Sequence, residues 1–393
     1  MRLGIISTTF PPKKCGVADY TYKLINELIK HDIDISIFTE MAEAAPFSGE
    51  LHVMQGLFNH AFINELAELI RRDVCDAVIV QYTPTLIAPK TCGVYLRLPF
   101  WLARLRKLTR VPVCVMVHEL HYPVEPNLRG IFIGIPTVIQ FAGMALVSDH
   151  LFFSHRVPME QWNRRLPYKR SKFSWLPVGA NIEPVPDQKM SSPDVKKMAQ
   201  IKSSRKIIIH FGGSHLSHGF LHMFHSFEEA RKIFVGDDPV LLFVGMTQHE
   251  VDQKLGETGM SHIKENVIGI GYLGPEEASC WLAAADLVLA PFLDGVSTRR
   301  GSMMAAFTHG KAMVTTSGRN TDPLLPWNSF CSIVSVDDVD GFKKEVIRLL
   351  GNQRSAEELG VCAKKYYDCH FSWPVIARNL IGVLSTLREK RYG

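Results

Sequence analysis

Short apolar runs alternate with helical ones along the whole chain, and this alternation restricts the fold more than any other feature of the sequence. Residues 3–7 (LGIIS), 34–38 (DISIF), 76–82 (DAVIVQY) and 111–118 (VPVCVMVH) read as strands, with helices expected over 18–30, 62–72 and 95–109. Such alternation makes neighbouring strands parallel, joined by helical crossovers. It continues through HLFFS and KFSWLPVG, then stops in a polar stretch, Pro184 to Ser204, that contains Pro184, Pro186 and Pro193 and reads as a linker. The pattern then restarts with KIIIHFGG, VLLFVG, NVIGIGYLG, DLVLAPF and KAMVTT, separated by helical runs near 220–234, 248 and 276–285. Three more helical segments follow, and no internal repeat is found.

A chain of 393 residues is too long for one ordinary core. The expectation is an α/β protein with two Rossmann-like, doubly wound domains facing across a cleft, one over 1–180 and one over 181–372, with residues 373–393 as a helix packing back toward the N-terminal domain. Sheets of this kind bind ligands beyond the carboxyl ends of their strands.

Charge and cysteine content narrow the function. A net charge of +5 is too small for a nucleic-acid-binding signature, so no nucleic-acid partner is expected, but it suits anionic small molecules or an anionic membrane face. The eight cysteines form no CxxC pair, which reads as reduced thiols, and Cys362, Cys369 and His370 match no usual zinc spacing. MRLGIISTTF reads as a strand rather than a signal peptide. A cytoplasmic protein is therefore expected, peripheral on the inner membrane face if residues 95–110, YLRLPFWLARLRKLTR, rest on anionic lipid as a basic amphipathic helix. The uncharged run 130–148 is long enough to span a bilayer, yet Pro136, Gln140 and three glycines favour a buried helix.

Several stretches could carry chemistry. FLDGVSTRRGSMMAAFTHGKAMV, residues 292–314, sets Arg299 and Arg300 between a Gly/Ser-rich turn and a small-residue helix. Cations are unfavourable at a helix N-terminus unless an anion arrives, and then backbone N–H groups, dipole and guanidinium forks converge on it. TTFPPKKCGVADY, residues 8–20, leaves the first strand with Lys13, Lys14 and Gly16. VMVHELHY places His118 and Glu119 where a strand runs out, with His121 beyond, and its HELH is one residue short of HExxH. GGSHLSHGFLHMFH, residues 212–225, offers Gly213, Ser214, His215 and His218 to a phosphate; His218, His222 and His225 also have metal-like spacing, without carboxylate or cysteine partners. GIGYLG, residues 269–274, is a formal GxGxxG without the acidic residue a dinucleotide site expects. Asp32 with Asp34, and Asp338 with Asp340, open a strand and a helix and read as turn carboxylates. No spacing supports a hydrolase.

Together these motifs resemble a GT-B glycosyltransferase, specifically glycosyltransferase family 4, over nearly the whole chain. FPPKKCGVADYT resembles the loop whose glycine lies against the donor diphosphate, and VHELH the family's His-Asp/Glu position. WLPVGANI resembles the entry to the second domain, FGGSHLSHG the loop that usually reads G-R-L and K-G, ADLVLAPFLDG the strand before the donor loop, and FSWPVIARNL the closing helix. Two departures stand out. The basic pair of the Gly212 loop is replaced by Ser214 and His218, and the E-x7-E motif is absent, with Ser297 and Ala305 at the glutamate positions.

The resemblance implies a retaining transfer of a hexose-type sugar from a nucleotide diphosphate, UDP in preference to GDP, to an unidentified acceptor hydroxyl. No metal and no cofactor are expected. His118 would contact the transferred sugar and Gly16 would let the N-terminal loop approach. Arg299 and Arg300, as catalytic residues, would replace the missing cations. Gly213, Ser214, His218, Gly271, Tyr272, Asp294, Ser297, Thr298, Gly301 and Ser302 would complete the donor side. A nucleotide-sugar epimerase of the same fold and a non-catalytic sugar-nucleotide-binding partner subunit are the alternatives.

Overall fold

The structure, a computed structural model, describes residues 1–13, 15–41, 46–122, 127–128, 130–185, 205–215, 218–236 and 239–392. The chain divides into two compact units, Met1–Val178 with Trp373–Gly393, and Gly179–Ser372.

The first unit holds a seven-stranded parallel sheet of β1 (Arg2–Ser7), β2 (Asp34–Thr39), β3 (Glu50–Val53), β4 (Ala77–Tyr82), β5 (Val113–Val117), β6 (His150–Phe153) and β7 (Phe173–Trp175), in the order 3-2-1-4-5-6-7. Its winding reverses between β1 and β4, the place where such sheets open a crevice. Every residue of β4 is buried, as expected of a strand covered on both faces. One layer of core is built on Trp101, Phe141 and Trp162. The other packs Leu24 and Leu28 of the Gly16–Ile29 helix with Trp373, Ile376, Leu380 and Leu384 of the Trp373–Tyr392 helix, so the latter completes the first unit's core.

The second unit holds a six-stranded parallel sheet of β8 (Ile207–Phe211), β9 (Val240–Val244), β10 (Val267–Gly271), β11 (Leu287–Ala290), β12 (Met313–Ser317) and β13 (Ser332–Ser335), in the order 10-9-8-11-12-13. Its winding reverses between β8 and β11. Phe224, Phe227, Phe243 and Phe342 fill the core.

Two expectations change. Strands β3 and β13 are additions to the sequence reading: both are four-residue edge strands, partly exposed and too short to show a pattern. The buried helix expected over 130–148 is buried on one side only. Thr137, Gln140, Phe141 and Met144 of the Ile135–Val147 helix face the core, while Ile135, Ile139 and Leu146 face outward. Most of the proposed linker, with Pro186 and Pro193, lies outside the described residues, as does Lys14.

Candidate functional site

In the second unit the candidate site forms where β11 gives way to the Gly301–Thr308 helix. Phe292 is anchored first: its N–H donates to Thr316 Oγ1 at 2.7 Å, and that hydroxyl donates back to the Phe292 carbonyl at 2.7 Å. Gly295 then turns the chain with φ +88°, and a Cβ there would collide with the Gly318 backbone and the Thr321 hydroxyl. Glycine is needed on both counts.

This turn folds Asp294 back onto the two arginines. Arg299 Nη2 lies 2.7 Å from Asp294 Oδ2 and Arg300 Nη2 lies 2.9 Å from Oδ1, while Asn320 Nδ2 donates to Oδ2 at 2.8 Å. Burial alone would raise the Asp294 carboxyl, but Arg300, Arg299 and Asn320 outweigh it and hold it below the usual range. Two guanidiniums against one carboxylate leave one net positive charge here. Arg300 also lies over the Phe292 ring, 4.5 Å from its centroid, and occupies the N-cap position of the Gly301–Thr308 helix without capping it through its own side chain. A guanidinium cannot accept from the first N–H groups of that helix, so Arg300 does not supply the acceptor that a usual N-cap side chain would.

Buried polar atoms without protein partners point the same way. Ser297 is fully buried and its hydroxyl has no partner, and Arg299 Nε is likewise buried and unsatisfied. Native structures leave few such groups without a reason, and phosphate oxygens would satisfy both. Thr298 is buried beside them, Ser302 lies in the first turn of the helix, and the Asn181 side chain lies against Gly301.

The Gly212 loop contributes shape rather than charge. His218 pairs with Phe292 in an antiparallel bridge, and its Nδ1–H donates to the Gly213 carbonyl at 3.1 Å. Burial, with His210 and the Arg300 guanidinium adding to it, pushes the His218 pKa down to about 2. Burial also brings His210 to about 4. Both rings are neutral at ordinary pH. Ser214 is exposed and donates to Glu250 at 3.3 Å, and Gly213 leaves open space on its Cα. Gly271 lies at the end of the edge strand β10, where its carbonyl accepts from the Gly245 N–H at 2.8 Å, and Gly245 in turn lies against the Gly212 backbone.

In the first unit the candidate residues gather at the carboxyl ends of β1, β4 and β5. His118 follows β5, donates its N–H to the Tyr82 carbonyl at 3.0 Å, and meets Gln81 Oε1 through Nε2 at 2.6 Å. Its ring stands edge-on to Tyr20 with centroids 4.7 Å apart. Burial pushes its pKa down to about 3, so it is a neutral hydrogen-bonding group. Tyr20 Oη and Gln81 Nε2 beside it, and Thr9 Oγ1 and Thr83 Oγ1 just past the carboxyl ends of β1 and β4, are buried without partners, as expected of a lining that awaits a polar ligand. Gly16 opens its helix behind an uncapped Cys15, and a Cβ there meets nothing within 4 Å. No internal packing requires that glycine. Glu119 is exposed, and His121 is held to the Tyr122 carbonyl at 2.8 Å.

Tyr20, Gln81, Thr83, Asn181 and Asn320 were not evident from the sequence. Gln81 alone left a signal, as the one amide in an otherwise apolar strand. The metal-like histidine spacing dissolves: His218 precedes the Phe220–Ile233 helix and His222 bonds the Val336 carbonyl at 2.8 Å. Among the described residues no group of three or more His, Cys, Asp or Glu could hold a metal ion. Asp338 accepts from the Gly341 N–H at 2.8 Å as a helix cap.

No family model matches the sequence, and a search of curated proteins finds no match either. Solved structures do match. Sucrose-phosphate synthase from Thermosynechococcus elongatus aligns over 99% of this chain and 99% of its own with a TM-score of 0.75 at 14% identity. Anabaena HepE, solved in complex with UDP and glucose, aligns over 98% of this chain and 100% of its own with a TM-score of 0.71 at 10% identity. A UDP-N-acetylglucosamine 2-epimerase from Listeria monocytogenes aligns over 99% and 97% with a TM-score of 0.61 at 13% identity. The chain therefore has the two-domain Rossmann-like fold of the GT-B glycosyltransferases.

Proposed function

We propose that this protein is a glycosyltransferase that takes a hexose-type sugar from a UDP-sugar and passes it, with retention and without a required metal, to an acceptor hydroxyl. The observation that carries this reading is the Arg299–Asp294–Arg300 arrangement at the N-terminus of the Gly301–Thr308 helix. When the bond from the anomeric carbon to the diphosphate oxygen breaks, negative charge gathers on the leaving group. Preorganised positive charge must meet it. Asp294 holds both guanidiniums in place before the ligand arrives, while the net charge of the trio and the helix dipole still favour an anion.

The remaining residues take supporting roles. Ser297 and Thr298 would hydrogen-bond phosphate oxygens, and Gly16 and Gly213 would admit close approach. His118 would contact the transferred sugar as a neutral donor or acceptor, its orientation set by Gln81. The UDP and glucose held by Anabaena HepE support a UDP donor. The epimerase likeness, at a lower TM-score than the synthase, supports the second reading, a nucleotide-sugar epimerase.

One measurement separates the two: UDP release from UDP-glucose and related donors with and without a panel of hydroxyl acceptors. Release that depends on acceptor supports transfer. Release or sugar isomerisation independent of any acceptor overturns it in favour of the epimerase.

A further inference from the structure

The segment Gly130–Val147 carries no charged residue, and its exposed side chains, Ile131, Phe132, Ile135, Ile139 and Leu146, are all apolar. Phe132 is 70% exposed. Phe132, Ile135, Ile139 and Leu146 recur at helical spacing, so they form one outward stripe roughly 20 Å long at 1.5 Å per residue. A helix on the surface of a soluble protein normally turns polar residues to water, and a contiguous apolar face of this kind marks an interaction surface.

The stripe has a cationic border. Pro99 of the neighbouring Leu98–Thr109 helix packs on Gly143, next to Phe100, which is 72% exposed. Farther along, that helix exposes Arg104, Arg106 and Lys107, followed by Arg110, with no acidic residue among them. The two properties meet at Leu146, which helps line a cavity of about 900 Å³ together with Arg106, Lys107, Arg110, Lys172 and Lys390. The one carboxylate in that lining, Asp149, is paired with Arg106 at 2.9 Å. Burial and the neighbouring Lys169 and Arg106 lower the Lys172 pKa in spite of Asp149, which acts the other way. The cavity borders the amino ends of β5 and β6, away from His118 at the carboxyl end of β5.

We propose that this face docks the protein on an anionic lipid surface, the apolar stripe entering the boundary between headgroups and acyl chains and the cationic cavity receiving lipid phosphate. Apolar area and positive charge side by side are what such a surface selects. A second copy of the chain is a poorer occupant, since face-to-face pairing would set one cationic cavity against another. The inference does not rest on sugar transfer and stands or falls separately from it.

Vesicle co-sedimentation of the full chain tests the idea. Phosphatidylglycerol-containing vesicles should bind the chain and phosphatidylcholine vesicles should not. Binding should fade as salt rises from about 0.01 M to about 1 M, where the Debye length shrinks from about 30 Å to about 3 Å. Lys107→Ala with Arg110→Ala should lower the partition by roughly 30-fold, the equivalent of about 1 kcal/mol per cation near the surface. Phe132→Asp with Ile139→Asp should abolish it, while both variants keep the parent melting temperature because these side chains are exposed. Equal binding to both vesicle types, equal binding by the variants, or a dimer lost in Phe132→Asp with no vesicle binding would overturn the proposal.

Discussion

The imidazole of His118 and the carboxamide of Gln81 meet at 2.6 Å, although 37 residues separate them in sequence. Because Gln81 Oε1 can only accept, His118 must carry its proton on Nε2 and leave Nδ1 as an acceptor. Adjacent strands make the contact possible, since Gln81 on β4 pairs with Met116 on β5, two residues before His118.

Gln81→Glu should therefore change a pH profile. In the parent, kcat/KM for UDP release should show no step from His118 between about pH 5 and 8, because burial holds its pKa near 3. A carboxylate at position 81 would raise that pKa toward neutrality. Activity of the variant should then fall as pH drops through the new value, with Gln81→Leu showing a pH-independent loss instead. A superimposable profile for Gln81→Glu would remove the assigned role.

Arg300→Ala and Arg299→Ala should each lower kcat/KM by about 10²- to 10³-fold, corresponding to about 2.7–4 kcal/mol of lost charge stabilisation. Lysine should restore little, because a point charge cannot both grip Asp294 and present a planar fork. Steady-state kinetics on the alanine and lysine variants at both positions would check this. Full turnover in the alanine variants would end the present account of the pair.

Two glycine substitutions should part company. Gly295→Ala meets a positive φ and a backbone collision, so it should destabilise by about 1–3 kcal/mol and lower the melting temperature. Gly16→Ala meets nothing, and alanine suits a helix start better, so stability should hold or rise. If a diphosphate approaches there, KM for the nucleotide sugar should nonetheless increase. Calorimetry and kinetics on the same two preparations separate the effects.

Acid should destabilise the fold earlier than its carboxylates alone would predict. His150, His210 and His309 are held near 4, and His118 and His218 lower still, all chiefly by burial. An unfolded chain takes up these protons near the ordinary pKa of about 6.5, whereas the folded chain does so only below about 4. The folded state is thus favoured above about 6.5, and its stability falls as pH drops below that value. The melting temperature should be nearly flat from about pH 8 to 7 and decline steadily below about 6.5. His210→Gln should flatten part of that decline.

The two sheets were legible because their central strands are almost wholly apolar runs, a pattern that burial on both faces demands. Edge strands β3 and β13 were not, since half-exposed four-residue segments need no such pattern. For the candidate site, Arg299 and Arg300 could be found from their place before a helix. Their hold on Asp294 could not, because it depends on the left-handed turn at Gly295 and on Asn320 arriving from another loop. Likewise a histidine at a strand end is visible in a linear sequence, but the burial that keeps it neutral is not.

Because the Trp373–Tyr392 helix supplies part of the first unit's core, that unit is not a contiguous piece of sequence. During synthesis the partner surface around Leu24 and Leu28 must wait for residues 179–372 to emerge, roughly 10 to 40 seconds at 5–20 residues per second. A fragment ending at residue 178 would carry that wait permanently and should aggregate. Splicing 373–392 directly onto it would give a self-sufficient half for binding studies.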